Sequence, residues 1–344
     1  MSAPHTHFWR EASRLMNDGE RFFLAVVAGH SDHSPGTAGA KLLVSASDKT
    51  LGTIGGGIME HNLVERAATI LRQADFAPEI HALAHRATGE GEKSGMICAG
   101  SQTNLYLLCT PEKDRNTVAA IFDCLQNDRL GTLRIGPGGL TLDPETPQPG
   151  PGVHPPRYEL QAEGPAWRYS EQLLNDRRVV ILGSGHCSSA LAPVMLRLGL
   201  AVTVIAKGVA QPLLAEWDHA AIKFVTVNDY GEAAALIHYA ELTRVIIMTT
   251  DVAGDVAGLV SLQSLPLPFI GVLGSLAKIA VIRARAAETL GRPLEETNLY
   301  APVGLPIDSH TPEEIAISVA AHLLSLEANI SQARQPATGA AVMP

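Results

Sequence analysis

The sequence predicts an α/β protein of two domains, a mixed α/β domain followed by a doubly wound parallel sheet. Three observations predict it. After Arg178, five short and continuously apolar runs alternate with helical stretches, as in a parallel sheet covered on both faces. Over residues 1–113, strand-like and helical segments are punctuated by glycine clusters at their ends. Between these regions, Asp143–Gly152 and Pro155-Pro156 form a Pro/Gly-rich stretch that reads as an exposed loop or linker.

The elements follow in order. Phe8–Asp18 is amphipathic with helical period, and Arg21–Ala28 is an apolar run of strand length. A polar, turn-rich segment, Gly29–Gly39, comes next. Lys41–Ala46 and Thr50–Ile54 flank the turn Ser47-Asp48-Lys49 and predict a hairpin. Gly55, Gly56 and Gly57 precede a helical run over Met59–Gln73, and Ser94–Gly100 leads into a strand over Thr103–Cys109. The middle segment, 114–176, contains a helix over Asn116–Asn127, strand-like pieces at Gly131–Ile135 and Gly139–Leu142, and the linker.

The second domain is expected over 177–328. Its strands are Val179–Leu182, Ala201–Ile205, Ile222–Val227, Arg244–Met248 and Pro268–Val272. Thr311, Pro312 and Glu314 have the spacing of a capping box with proline at the first helical position, so a helix closes the domain. Residues 329–344 read as a disordered tail.

Composition narrows the function. With 344 residues the chain can bury two cores. The formal charge of −9 argues against a general nucleic-acid binder, which needs a basic surface. No run approaches the roughly 20 apolar residues of a membrane span, and Met1–Trp9 lacks a signal-peptide core, so the expected location is cytoplasmic. Cys98, Cys109, Cys124 and Cys187 include no CxxC pair, which is neither a disulfide framework nor a zinc spacing. His30, Asp32 and His33 share a loop, and His81 and His85 are four apart. Neither group supplies a convincing ligand set, so no metal site is expected.

Gly183-Ser-Gly-His-Cys-Ser-Ser-Ala190 follows the first strand of the second domain, where a dinucleotide loop belongs in a Rossmann-like fold. Gly183 and Gly185 match the first two glycines of G-x-G-x-x-G, and Ser188 replaces the third. Pro193 lies inside the expected helix, which is therefore expected to start near Ser188 or Ser189, or to kink. The second strand ends at Lys207, where an NAD enzyme carries an acidic residue for the ribose hydroxyls. Lys207 favours a phosphate or another anion. Either the fold persists without its NAD site, or the ligand is an altered anion.

Ser34–Val44, Leu51–Glu60 with its run Gly-Thr-Ile-Gly-Gly-Gly-Ile-Met-Glu, and Gly95–Gly100 resemble the XdhC/CoxI family in order and spacing. So do Phe269–Ser275, Tyr300–Leu305 and Thr311–Ser318. The resemblance implies a molybdenum cofactor-binding maturation chaperone that supports sulfuration and insertion of a molybdopterin-type cofactor into a molybdenum hydroxylase such as xanthine dehydrogenase. The implied partners are that apoenzyme and either a cysteine desulfurase or a cofactor nucleotidyltransferase, and a homodimer is allowed. Cys98 matches the family cysteine and is the candidate thiolate contact or sulfur carrier. Gly55, Gly56, Gly57 and Glu60 form the first candidate cofactor site, because glycines before a helix can turn backbone N–H groups toward an anion. Glu60 either complements the helix dipole or bonds the pterin. Gly183, Gly185, His186, Lys207, Gly274 and Ser275 form the second candidate site.

Three departures from the family pattern fall in the second domain: Thr250–Asp255, Leu276 where arginine is common, and Pro306 where aspartate is common. Lys278 is the nearby substitute cation. Two other readings stand beside the chaperone: an NAD(P)-dependent oxidoreductase, and a docking protein with a vestigial nucleotide site.

Overall fold

A computed structural model describes residues 5–85, 100–127, 129–144, 157–163, 166–173, 177–208 and 222–334. The chain forms two compact units, 1–175 and 176–344. The mixed α/β class and the parallel Rossmann sheet of the second unit are both present.

In the first unit, α1 (His5–Asn17) precedes β1 (Phe22–His30), β2 (Lys41–Ser45), β3 (Thr50–Gly52), α2 (Gly57–Ile70), β4 (Glu79–His85) and β5 (Gly100–Cys109). The five strands form one antiparallel sheet in the order β3-β2-β1-β5-β4. The apolar run of β1 is continuous because both faces are buried. Phe22, Leu24, Val26 and Ala28 pack toward α1, whereas Phe23, Ala25 and Val27 pack toward α2. β4 has no counterpart in the sequence reading, since Glu79-Ile-His-Ala alternates only weakly.

α3 (Pro111–Gln126) starts five residues before the helix expected from Asn116. Its first turn has no apolar residue to reveal a period, but Pro111 fits the first position and the Asp114 carboxylate accepts the Thr110 N–H at 2.8 Å. β6 (Thr132–Gly136), β7 (Gly139–Asp143), β8 (Tyr158–Glu163) and β9 (Ala166–Gln172) make a second antiparallel sheet, ordered β7-β6-β9-β8. Leu133, Ile135, Trp167 and Tyr169 from this sheet join the core of α1, α3 and β1, so the middle segment is built into the first unit. β8 and β9 have no counterpart in the sequence reading, because their inward positions are amphipathic, Tyr169 and Glu171 among them.

A buried ion pair ties the two sheets. Lys41 Nζ of β2 lies 2.7 Å from Glu171 Oε2 of β9, and both side chains are almost wholly buried. Lys41 also donates to Gly39 O at 2.9 Å, and Tyr169 OH donates to Glu171 at 3.0 Å. Burial pulls the Lys41 pKa down, against the opposing pull of Glu171. His5 of α1 joins this network as an acceptor, because Arg157 Nη2 can only donate to His5 Nε2, at 2.9 Å. Burial first, then Lys41 and Arg157, hold the His5 pKa well below its usual value.

The second unit runs β10 (Arg178–Leu182), α4 (His186–Arg197), β11 (Ala201–Lys207), β12 (Ile222–Val227), β13 (Thr243–Ile247), α5 (Val252–Leu262), β14 (Phe269–Val272), α6 (Leu276–Leu290), β15 (Leu299–Tyr300) and α7 (Pro312–Arg334). All six strands are parallel, in the order β12-β11-β10-β13-β14-β15. Val179 and Ile181 face α4 and α7, whereas Val180 and Leu182 face α5 and α6. The strand order reverses between β10 and β13, so a crevice opens at their carboxyl ends, the ligand edge of such sheets.

One expectation is corrected here. α4 begins at His186, not near Ser188, because Gly185 takes an extended capping conformation and its carbonyl already accepts from Ser189 N–H at 3.0 Å. Pro193 sits within that helix. α7 carries the expected capping box, with Glu314 accepting from Thr311 N–H at 2.9 Å and Thr311 Oγ1 from Glu314 N–H at 3.2 Å. It runs to Arg334, and residues 335–344 of the expected tail lie outside the described residues.

Two measurements check this account. Lys41→Met strands a buried carboxylate and is expected to cost about 3–5 kcal/mol in urea unfolding, while Lys41→Met/Glu171→Leu recovers at least half of that loss. An equal loss in the double variant would contradict the assignment. His5 takes up a proton near pH 6.5 when unfolded but well below that when folded, so the unfolded state binds more protons in that window and stability falls as pH drops below about 6.5. The melting temperature is expected to fall more between pH 7.5 and 5.5 in the wild type than in His5→Gln.

Candidate functional site

Three of the segments named from the sequence meet in the first unit. The Ser34-Pro35-Gly36 turn lies against Ile54 and Gly55, and a Cβ at Gly36 would collide with the Ile54 carbonyl. A Cβ at Gly100 would stand 2.8 Å from Ser34 N. The start of β5 is laced to the same loop, since Ser31 N donates to Ser101 O and Ser101 N to Ser31 Oγ, each at 2.8 Å. Gln102, which sequence reasoning missed, lies beneath the junction and bonds Ser34, Gly36 and Ile54. A lone glutamine in a strand carries no motif, so only the apolar positions around it hinted that it faces inward.

The glycine run has the backbone that glycine serves, with φ of 130°, 75° and 69° at Gly55, Gly56 and Gly57. Its amides are arranged differently from the expectation. Glu60 Oε2 accepts from Thr53 Oγ1 at 2.6 Å, Ile54 N at 3.0 Å and Gly56 N at 3.1 Å. Gly55 N donates to Thr53 Oγ1 at 3.1 Å. The run therefore does not present Gly55 and Gly56 to an external anion, because an internal carboxylate from the first turns of α2 already holds this loop. Gly57 and Ile58, by contrast, are exposed at the helix start, with Ile58 57% exposed. Their amides belong to the first turn, which has no intrahelical acceptor, and they lie at the positive end of the dipole.

Cys98 lies outside the described residues. The other cysteines are free thiols, and burial raises the pKa of Cys109 strongly and of Cys124 and Cys187 to a lesser degree. These three are therefore thiols at neutral pH, not nucleophilic thiolates. His30 Nδ1 accepts from Ala38 N at 3.0 Å and so staples its own loop. His81 is on β4 and not on a helix; its ring packs at a tilt against Tyr106, and Nε2 lies 2.7 Å from Glu79.

In the second unit, Gly183 and Gly185 sit at the crevice but do different work. Gly183, at φ 119°, donates to Ile205 O at 2.8 Å, and a Cβ there would strike the Met248 carbonyl of the neighbouring strand end. Gly185 has ordinary φ and open space around it, its nearest neighbour being Thr250 Cγ2 at 3.9 Å. The fold needs the first glycine, and only an incoming group would need the second. His186 is exposed beside it.

Ser275 caps α6, its hydroxyl accepting from Lys278 N at 3.3 Å, and Gly274 makes room for the Lys278 stem. Lys278 is not a free substitute cation. Its ammonium lies 2.6 Å from Asp255 Oδ2, and the fully buried Asp255 also accepts from Thr249 N at 3.0 Å and Thr249 Oγ1 at 2.7 Å. Asp251 caps α5 through Gly254 N at 2.7 Å. Lys207 ends β11 well exposed, with Asp229 Oδ2 at 3.9 Å. Leu276, 76% exposed, opens α6 at the same sheet edge. Among the described residues no group of His, Cys, Asp and Glu side chains has the geometry of a metal site, and no helix is long and apolar enough to cross a membrane.

Two family models match the chain: the XdhC Rossmann domain over residues 179–323, and the XdhC and CoxI family over residues 15–79. Between them they span more than half of the sequence. The chain belongs to the XdhC and CoxI family. Its fold is similar to the crystal structure of a Bacillus halodurans protein described as a xanthine dehydrogenase, with TM-score 0.66 and 21% identity over 95% of this chain and 98% of that one. It is also 29% identical over 152 residues to the uncharacterized protein YqeB of Escherichia coli K12; the match covers 44% of this chain and 28% of that longer relative.

The two glycines of the crevice separate experimentally. Gly183→Ala combines a left-handed φ with a backbone collision and is expected to lose at least about 3 kcal/mol in chemical denaturation. Gly185→Ala is expected to cost under about 1 kcal/mol, the difference between glycine and alanine at an N-cap. Equal losses at both positions would refute the distinction.

Proposed function

We propose that this protein is a maturation factor that binds the molybdenum cofactor as cargo and supports its sulfuration and insertion into a molybdenum hydroxylase such as xanthine dehydrogenase. Family membership supports the accessory role. The observation that carries the site is the meeting of Ser34–Gly36, Ile54–Gly57 and Gly100 in one braced loop cluster at the start of a helix.

Molybdopterin offers a phosphate, a dithiolene and a pterin with many hydrogen-bonding edges. In this reading the exposed first-turn amides of α2 at Gly57 and Ile58 receive an anionic group. Glu60 serves by holding the loop shape, which leaves its charge to neutralise inward amides instead of touching the pterin. Cys98, two residues before Gly100 in the sequence, supplies the thiolate contact or carries the sulfur. The second unit is a separate candidate: the turn at Gly183–His186, the α6 cap at Gly274–Ser275 and Lys207 border the carboxyl edge of its sheet, where the phosphate of a nucleotide has open backbone at Gly185 to approach.

A second reading has one observation behind it. Lys207 is exposed at the end of β11 and could face a 2′-phosphate, which favours NADP over NAD.

The discriminating experiment combines activation and ligand scanning. Cys98→Ala is expected to lower activation of a partner hydroxylase apoenzyme at least tenfold while leaving the fold intact by circular dichroism. A thermal-shift scan with NAD and NADP is expected to show no stabilisation beyond that given by AMP or phosphate. Wild-type activation by Cys98→Ala, together with a shift specific to NADP, would replace the chaperone reading with the oxidoreductase one.

A further inference from the structure

Gln102 is 2% exposed and occupies all four hydrogen-bonding positions of its carboxamide. Oε1 accepts from Ser34 Oγ at 3.1 Å and from Gly36 N at 3.3 Å. Nε2 donates to Ile54 O at 3.2 Å and to Asn104 Oδ1 at 3.0 Å. The orientation of the amide is fixed by chemistry, because the Gly36 N–H can only donate and the Ile54 carbonyl can only accept.

One planar group thus joins two loops distant in sequence, the Ser34–Gly36 turn and the strand end that opens the glycine run. Glutamate would bring two acceptors and lose both donations, and leucine would bring neither. The side-chain surroundings are largely apolar, with Ile54, Met59 and Leu83 buried in the same core. It is the loop backbone that calls for a polar residue, since an aliphatic side chain of similar volume would leave the Gly36 N–H and the Ile54 carbonyl without their partner. Three of its bonds go to loop atoms, and those to the fully buried Asn104 and to Met59 Sδ hold the carboxamide itself.

We propose that Gln102 is a positioning residue for the cargo site of the first unit. It sets the separation of the Ser34–Gly36 and Ile54–Gly57 loops and thereby the orientation in which the start of α2 meets the cargo's anionic group. The identity of the cargo rests on the function proposed above; the positioning role rests on the hydrogen bonds. Glu60 holds the glycine run from its helix side, and Gln102 ties that run to the neighbouring turn.

The test uses the full chain, with molybdopterin as the probe, in wild type, Gln102→Leu and Gln102→Glu. Gln102→Leu is expected to bind at least tenfold more weakly while still unfolding in one cooperative transition. In Gln102→Glu the buried carboxyl has a raised pKa, and its protonated form regains one of the two donations. Its affinity relative to wild type is therefore expected to recover severalfold as pH falls from 8 to 6, a dependence that loss of packing would not produce. If Gln102→Leu does not fold, the pH series with Gln102→Glu decides. Wild-type affinity in the folded variants, or a Gln102→Glu ratio flat with pH, overturns the positioning role alone. No uptake by the wild type overturns the proposed function, and the role of Gln102 falls with it.

Discussion

The close approach of three backbone segments at Gly36, Ile54–Gly55 and Gly100 is the constraint on which the first unit's site depends. Backbone this tightly packed leaves amides and carbonyls without water, and each must find a partner inside the protein. Glu60 and Gln102 are those partners. One supplies a carboxylate to two amides and a hydroxyl, and the other supplies both an acceptor and a donor across the loops. The glycines make the approach sterically possible, and the two polar side chains make it energetically tolerable. The Lys41–Glu171 pair does a related job deeper in the unit, tying the sheet that carries these loops to the second sheet.

The second unit builds its ligand edge in the opposite way. Its crevice follows from the strand order alone, and the glycine at its centre is open. Its charged groups are mostly committed: Lys278 neutralises Asp255, Asp255 holds Thr249, and Asp251 caps α5. Among the described residues, His186, Lys207 and the aliphatic Leu276 are exposed at that edge, together with Asp229, Asp251 and Ser275. Lys207 brings an exposed positive charge to this surface, with Asp229 beside it.

Much of the fold was legible because burial leaves a periodic trace. The five apolar strands of the second unit, the hairpin after Lys41 and the capping box at Thr311 all stand where the sequence placed them. β8, β9 and the start of α3 were not legible, because their inward residues are tyrosine, tryptophan and a paired glutamate, or because a first turn is polar. In the site, the glycine clusters marked the right loops, but the direction of their amides could not be read. That direction depends on Glu60 curling back four residues and on Gln102 arriving from a strand nearly fifty residues further along the chain, and neither leaves a local pattern. Lys278 was misread for the same reason, its partner Asp255 lying on another helix.

The most direct measurement of the central claim is mass spectrometry of the intact chain after exposure to a molybdopterin source and removal of free ligand. The account predicts a retained mass of one molybdopterin-type cofactor per chain. A wild-type chain that emerges at its bare mass, under conditions where a molybdenum hydroxylase takes up the same cofactor, would contradict it.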